Sequence, residues 1–287
     1  MNITSSLLPL FISSILMVRA MRGKNSDKGL ATPVSLSFLI FSFTILTVAT
    51  YYVSISSVSV KSSRTRYVAA KQDVLSLENA IHSISWSPGS SIVKEFRGYG
   101  GKFETHPDDR ILTINFSMGS LSEIIFNSSI GYLGYEAPPT DINEVGLYLR
   151  GDAEPVVNQS FLGITQMYIR VYNGSQEIYL GYRPLIASFT SSLQNNQINI
   201  IRIFIINLNS SENLLFTGGF RLRIRCLNIT SCVKTYNLTE SVSSASIKVT
   251  IDGETRCVTL PLSSEETFTL ARLEVFVCNV KVEEVNI

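Results

Sequence analysis

An uncharged segment near the N-terminus constrains this chain more than any other feature. Residues 30–60 form a run of 31 residues without a charged side chain. About 20 apolar helical residues suffice to cross the hydrocarbon core of a membrane. The Ser and Thr hydroxyls can bond to helix carbonyls one turn back, and Pro33 lies near the start, where a missing N–H costs least. The segment therefore predicts a membrane-spanning helix. The alternative is a buried soluble helix, but core helices rarely run this long without a charge.

Glycosylation sequons indicate which side of the membrane the rest of the chain occupies. Four basic residues precede the segment and four follow it closely, so the positive-inside rule does not decide orientation. Asn-X-Ser/Thr occurs eight times, and such triplets mark exported surfaces when they are modified. One is at Asn2, and the seven after the segment are predicted glycosylation sites: Asn115, Asn127, Asn158, Asn173, Asn209, Asn228 and Asn237. This distribution predicts an extracellular C-terminal part, although a β protein rich in Asn, Ser and Thr produces such triplets by composition as well.

All four cysteines lie in the last quarter of the chain. They are Cys226, Cys232, Cys257 and Cys278. None forms CxxC, and neither His82 nor His106 is near them in sequence, so a zinc site is not indicated. Two disulfides in an oxidising compartment are expected instead, in one of three possible pairings. Local closure, Cys226 with Cys232 and Cys257 with Cys278, is the expectation, and four buried free thiols are the alternative.

The junction before the apolar segment carries a short motif. Lys28-Gly29 stands directly before Leu30, after a basic stretch that begins at Met21. This resembles the class III signal peptide of type IV pilins and archaeal filament proteins. The resemblance implies that a prepilin-type aspartic peptidase cuts between Gly29 and Leu30. The apolar segment then stays on the mature protein and packs in a filament core.

Two departures from the pilin pattern are informative. Bacterial pilins carry Glu at the fifth mature position, where this chain has Val34, and archaeal members often lack that Glu. The resemblance therefore points to an archaeal relative. Residues 1–20 are long and apolar for such a leader, whereas a start at Met21 would give a leader of nine residues, typical of the family.

The helical pattern continues beyond the apolar segment. Six apolar residues recur at spacings of three and four, as a heptad seam does. They are Tyr67, Ala70, Val74, Leu77, Ile81 and Ile84. Pro88-Gly89, after Trp86, predicts the end of the helix. A long helix with an apolar first half and one apolar stripe in its second half is also what type IV pilins have.

After residue 90 the pattern changes to short β runs with turn signals. Asn173-Gly174 and Asp252-Gly253 predict hairpins, and residues 220–225 alternate apolar with arginine as a half-buried strand does. The predicted fold class is α+β, a long N-terminal transmembrane helix followed by a β-rich, β-sandwich-like ectodomain. The predicted divisions are a leader (1–29), a transmembrane and extended pilin-like helix (30–88), a small β region packed on the helix (89–139) and the main β-sandwich-like ectodomain (140–287).

The sequence offers little catalytic chemistry. It contains two histidines and no GxSxG, HExxH or P-loop motif, and its net charge of +1 gives no support to nucleic-acid binding. Asp108-Asp109 could ligate calcium, but a polar turn is the simpler interpretation, as it is for Glu265-Glu266. The arginines of residues 221–225 could bind an anionic glycan or simply form the outer face of a strand. No catalytic residue, cofactor or metal site is predicted.

Three functions fit this pattern to different degrees. The first is a structural or adhesive type IV pilin-like surface protein, with the membrane, a prepilin-type peptidase and other pilin-like subunits as partners. The second is a single-pass membrane-anchored surface binding protein that does not polymerise. The third, a surface hydrolase, is disfavoured because histidines are few and no nucleophile motif occurs.

Overall fold

The structure is a computed structural model that describes residues 31–159, 163–193, 196–238, 242–262 and 269–285. Helix α1 (Ala31–Ile84) is followed by β-strands to the end of the described chain. The chain divides into two compact units, Met1–Ser59 and Val60–Ile287. The predicted order, one long apolar helix followed by a β-rich domain, is confirmed.

The part of α1 that belongs to the second unit packs through the predicted seam. All six seam residues are buried, whereas Lys71 and Gln72 on other faces keep solvent contact. The helix ends at Ile84, slightly earlier than the sequence predicts. Trp86 follows with φ +72° and Gly89 with φ +81°, and these left-handed residues turn the chain out of the helical path.

The strands form three sheets. Sheet A contains, in spatial order, β1 (Ser91–Phe96), β13 (Phe220–Leu238), β16 (Thr269–Glu284), β11 (Asn196–Asn207), β10 (Leu185–Leu193) and β7 (Val157–Asn158). Sheet B contains β12 (Leu215–Thr217), β2 (Lys102–His106), β5 (Tyr132–Glu136), β9 (Ser175–Tyr182), β8 (Thr165–Tyr172) and β6 (Tyr148–Arg150). Sheet C contains β15 (Glu254–Pro261), β14 (Ser244–Ile251), β3 (Ile111–Met118) and β4 (Leu121–Ser129). Neighbours are antiparallel except for the parallel pairs β11–β16 and β7–β10.

Both predicted hairpin turns are present. Asn173-Gly174 joins β8 to β9 with φ values of +49° and +82°, and Asp252-Gly253 joins β14 to β15 with +51° and +89°. Two successive left-handed residues are the signature of a type I′ turn, whose twist matches that of the flanking strands. These turns therefore set the register of both hairpins.

Sheet A borders two hydrophobic cores. The first core lies between the seam of α1, sheet B and part of sheet A, and includes Cys278, Val280 and Val282. The second lies between sheets A and C, and includes Val275 and Val277. Because successive residues of a strand point to opposite faces, the change from Val277 to Cys278 moves the buried face of β16 from one side of sheet A to the other.

The predicted division at residue 140 does not separate sheets. Strands from residues 91–136 are distributed over all three sheets, and in each sheet at least one of them pairs with a strand from after residue 140. β1 pairs with β13, β5 with β9 and β3 with β14. The proline turn after Glu136 is thus a connection within the β-rich domain. Sequence pattern alone did not reveal this because strand partners separated by a hundred residues leave no local signal.

Candidate functional site

The first half of α1 is the most unusual surface of the chain. Every residue at positions 34–59 is exposed, including large apolar side chains such as Phe38 at 69% and Tyr52 at 77%. Within the described residues, α1 is the one helix long and apolar enough to cross a membrane. Soluble proteins rarely leave an apolar surface of this extent in water. This half of α1 is therefore the candidate functional segment.

Four hydroxyl groups in the candidate segment are satisfied within the helix. Thr44 Oγ1 donates to the carbonyl of Ile40 at 2.8 Å, and Thr47 Oγ1 donates to that of Phe43 at 2.8 Å. Ser42 and Thr50 make the same bond to the carbonyl four residues back. A hydroxyl bonded in this way does not need water, so the segment is compatible with an apolar environment despite its Ser and Thr content.

The second half of α1 is held to the β-rich domain by polar contacts at the start of its seam. The Tyr67 hydroxyl donates to Glu144 Oε2 at 2.9 Å, and Lys71 Nζ lies 2.6 Å from the same oxygen. Burial alone would raise the pKa of the Glu144 carboxyl, but hydrogen bonds from Lys71 and Tyr67 outweigh it and lower that pKa. Burial, with the bond to Glu144, raises the pKa of Tyr67. One turn earlier, Arg64 Nε donates to Asp141 Oδ1 at 3.1 Å and lowers the pKa of that carboxyl.

A buried carboxylate lies further along the seam. Glu78 has no exposed surface, and its Oε1 accepts a hydrogen bond of 2.7 Å from Thr165. Arg150 Nη1 lies 2.5 Å from Glu78 Oε2, at ion-pair distance but outside hydrogen-bond geometry. Arg150 also donates through Nη2 to Asn79 at 2.8 Å. The buried Glu78 carboxylate thereby joins strands β6 and β8 to the helix. Nothing in the pattern around Glu78 distinguished it from a solvated helix residue.

The predicted processing residues, Gly29 and Leu30, lie outside the described residues. The same holds for Asn2 and for Glu265-Glu266. The cleavage site therefore stays a prediction from the sequence.

None of the seven predicted glycosylation sites is buried. Five are exposed (Asn127, Asn158, Asn173, Asn228 and Asn237), and Asn115 and Asn209 are half-buried. Asn115 and Asn127 lie on the outer face of sheet C, where Ser122 donates to Asn115 Oδ1 at 3.3 Å and Thr113 donates to Asn127 Oδ1 at 3.1 Å. All seven asparagines thus keep some solvent exposure, and their modification remains a prediction.

The cysteines are arranged differently from the expected local pairing. Cys226 and Cys232 are six residues apart on β13, roughly 20 Å along a strand, whereas a disulfide requires Cα atoms within about 7 Å. Cys257 is exposed on sheet C, whereas Cys278 is buried in the first core. The structure instead brings Cys226 and Cys278 together, with Sγ atoms 3.5 Å apart as free thiols.

The groups considered for chemistry are engaged in structural contacts. His106 Nδ1 lies 2.8 Å from Asp109 Oδ2, and the ring stacks on Tyr132 at 4.4 Å, while Asp108 accepts a long hydrogen bond from Ser129. His82 is exposed on α1. Among the residues that the structure describes, no three His, Cys, Asp or Glu side chains are grouped as metal ligands would be. The Asp108-Asp109 pair belongs to the turn between β2 and β3.

The arginine row of β13 is an outer strand face, as the alternation predicts. Leu222 and Ile224 are buried, while the three arginines of the row are exposed. Arg221 lies 3.6 Å from Glu95 of β1, and Arg223 lies 3.6 Å from Glu283 of β16. Carboxylates on both neighbouring strands thus partly neutralise the row, which weakens the case for an anion site.

An aromatic row across sheet B was not foreseen from the sequence. Rings from five neighbouring strands are in contact in the order His106, Tyr132, Tyr179, Tyr168 and Tyr148, with centroid separations of 4.4–5.1 Å; the first pair is stacked and the others are tilted by 31–36°. The Arg170 guanidinium lies 4.8 Å from the Tyr179 ring centroid and pairs with Glu177 at 2.5 Å. Burial raises the pKa of Glu177, against the opposing effect of Arg170. The available signal was that both strands of the Asn173-Gly174 hairpin carry two tyrosines each.

A surface cleft of about 510 Å³ lies beside the proline turn. Its lining includes Gly100, Gly101, Pro138, Pro139 and Gly174. Lys102, in the same lining, is paired with Glu104 of its own strand. The lining mixes glycine and proline with polar side chains such as Glu136 and Gln176, and it supplies no functional assignment.

Comparison with protein-family models, with curated proteins and with solved structures finds no match.

Proposed function

We propose that this chain is a structural or adhesive cell-surface protein of the type IV pilin-like class, anchored or assembled through residues 30–60. Its partners are the membrane, a prepilin-type peptidase that removes the leader, and other pilin-like subunits where the helix packs in a filament. The β-rich domain is displayed outside the cell. No catalytic role is assigned to it.

The observation that carries this proposal is the exposure of every residue from 34 to 59, in the uncharged stretch of α1. Apolar surface in water is unfavourable by about 25 cal/mol per Å², so such a segment is stable only against lipid or other apolar helices. A type IV pilin helix meets both environments, lipid before assembly and neighbouring subunits afterwards. The hydroxyls bonded within the helix suit either one.

The rest of α1 agrees with the same proposal. A pilin-like helix buries one stripe against its own globular domain, and residues 67–84 bury six seam positions there. Ion pairs from Arg64 to Asp141 and from Lys71 to Glu144 hold this part in place. One helix thus has a solvent-exposed apolar half and an amphipathic half whose seam is buried.

The mature N-terminus tests the proposal. The full chain is produced in an archaeal host with a prepilin-type peptidase, and intact mass and N-terminal sequencing are measured after removal of glycans. A chain that begins at Leu30 is expected. A mature chain that still contains residues 22–28 would overturn the proposal.

The chain supplies a matched control for the cleavage motif. Gly23 also follows a basic residue, Arg22, six positions upstream of Gly29. Gly29→Val is expected to block processing and leave the longer chain in membranes, whereas Gly23→Val is expected to be processed normally. Equal processing of both variants would contradict cleavage after Gly29.

The alternative is a single-pass surface binding protein that does not polymerise. Seven sequons on exposed or half-buried positions favour it, because glycans must fit between neighbouring subunits in a filament. Shearing the cells distinguishes the two. A filament subunit is released into the sheared extracellular fraction, whereas a solitary anchored protein stays with the membranes.

A further inference from the structure

Two of the four cysteines lie side by side in the first core. Cys226 of β13 and Cys278 of β16 have Sγ atoms 3.5 Å apart, and neither residue has exposed surface. They are 52 residues apart in sequence. Their strands are hydrogen-bonded neighbours in sheet A.

The two cysteines are diagonal neighbours on adjacent strands. Cys226 is opposite Val280, two residues along β16 from Cys278, and the register shifts between Cys226 and Asn228. Alternate residues of a strand point to the same face, so Cys278 and Val280 project from the same side of sheet A, into the core that also holds Cys226.

The pair lies beneath the C-terminal end of α1. Gly89 N donates to the carbonyl of Cys226 at 2.8 Å, and Cys226 N donates to the carbonyl of Ser90 at 3.0 Å. The Cys278 thiol faces the Ser85 hydroxyl and the backbone of Trp86. A covalent bond here would join both strands at the place where the chain leaves the helix.

The other two cysteines are placed differently. Cys232 and Cys257 are exposed, and Cys257 Sγ lies 2.8 Å from the Ser246 hydroxyl on the outer face of sheet C. The geometry therefore separates the four thiols into one buried adjacent pair and two surface groups.

We propose that Cys226 and Cys278 form a disulfide that joins β13 to β16 in the exported protein. This inference rests on the proposed extracellular location, because a reducing cytosol would keep both thiols free. The oxidant is a protein disulfide of a thiol–disulfide oxidoreductase. One cysteine thiolate attacks that disulfide to give a mixed disulfide, and the second thiolate displaces the donor sulfur. One S–S bond forms in this chain, one breaks in the donor, two protons leave the cysteines, and the donor becomes a dithiol.

Burial also determines when the bond forms. It raises the pKa of Cys278 to about 12, so little reactive thiolate exists once the core has closed. Oxidation therefore precedes closure of the first core. The finished bond is then shielded from exchange.

Peptide mapping tests the pairing directly. Trypsin cuts after Arg225, Lys234, Arg272 and Lys281, so Cys278 lies in peptide 273–281 and Cys226 shares peptide 226–234 with Cys232. The full chain with Cys232→Ser is exported, alkylated without reduction, treated to remove glycans and digested. A linked pair of 226–234 with 273–281 is expected. Alkylation of both peptides, or a link from either to Cys257, would overturn the inference.

Thermal stability gives a second measurement, which uses the wild type and two double variants and therefore does not depend on the folding of Cys232→Ser. A disulfide of this loop length and a domain of this size predict that chain reduced in urea and refolded with reductant present has a Tm roughly 5–15 °C below that of the oxidised chain. That shift is expected in the wild type and in Cys232→Ala/Cys257→Ala, and it should be absent in Cys226→Ala/Cys278→Ala. An equal response of all three chains would contradict the bond.

The inference and the proposed function fail separately. Free Cys226 and Cys278 in a chain that begins at Leu30 would overturn the disulfide and leave the pilin-like proposal intact. A linked pair in a chain that retains residues 22–28 would support the disulfide and overturn the pilin-like proposal.

Discussion

Thr165 donates a 2.7 Å hydrogen bond to Glu78, a carboxylate that has no exposed surface and lies 87 residues earlier in the chain. The contact joins the middle of the α1 seam to strand β8. The remaining oxygen of Glu78 faces Arg150, whose side chain is partly exposed. A buried charge of this kind is tolerated only while its partners are present, because desolvation of a lone carboxylate is costly.

Replacing Arg150 should therefore be strongly destabilising. Arg150→Met keeps an unbranched stem but removes the guanidinium, which leaves Glu78 without its cation, at an expected cost of roughly 3 kcal/mol in the free energy of unfolding. Urea unfolding followed by fluorescence of Trp86, the one tryptophan of the chain, measures it. Arg221→Met is the control, since Arg221 and Glu95 are both well exposed. If Arg150→Met and Arg221→Met lower the free energy of unfolding equally, the pair of Arg150 with buried Glu78 does not stabilise the fold more than an exposed pair does.

Truncation within the seam tests the docking of α1. Leu77→Ala removes a fully buried side chain from the first core and should lower the free energy of unfolding by about 2–5 kcal/mol. Val68→Ala, at a position 50% exposed on the same helix, should change it by no more than about 0.5 kcal/mol. If the two variants unfold at the same urea concentration, residues 67–84 do not pack as described.

Acid should weaken the contact of α1 with Glu144. Because the pKa of Glu144 is lower in the folded chain, its ionised form stabilises the fold above its unfolded pKa of about 4.3, and this contribution disappears as pH falls through the folded pKa. At pH 7 the free energy of unfolding of the wild type should exceed that of Glu144→Gln by about 0.5–1 kcal/mol. This difference should vanish at low pH. Glu95→Gln serves as the exposed control. If the stability difference between wild type and Glu144→Gln grows as the pH is lowered, the pKa of Glu144 is not lowered by folding.

Charges in the candidate segment should abolish its association with membranes or filaments. Phe41→Asp/Ile45→Asp places two carboxylates one helical turn apart, each unfavourable by about 2.5–3.5 kcal/mol at the centre of a membrane helix. The variant is expected in the soluble fraction after cell lysis. Ile111→Asp/Ile124→Asp adds the same charge at equally exposed positions of sheet C, 59% and 61%, and should stay with the membranes. Retention of the first variant would show that the segment has another role.

Local patterns in the sequence were sufficient for much of this fold. The uncharged run, the spacing of Tyr67 to Ile84 and the Asn-Gly and Asp-Gly turns predicted a helix, its buried face and two hairpins, because each depends on neighbours within a few residues. The alternation around Leu222 and Ile224 predicted their burial for the same reason. Trp86 was included in the predicted helix, which ends two residues earlier because the chain turns left-handed there.

The sequence by itself thus determined the apolar helix, its amphipathic continuation, the β-rich character of the rest and the position of both hairpin turns. Only the tertiary structure decided which strands are neighbours, that sheet A borders a core on each face, and that Cys226 meets Cys278 rather than Cys232. It also decided that Glu78 is buried. Periodicity records which side of an element is apolar, whereas strand order and contacts across many residues depend on how all the apolar faces can be covered at once.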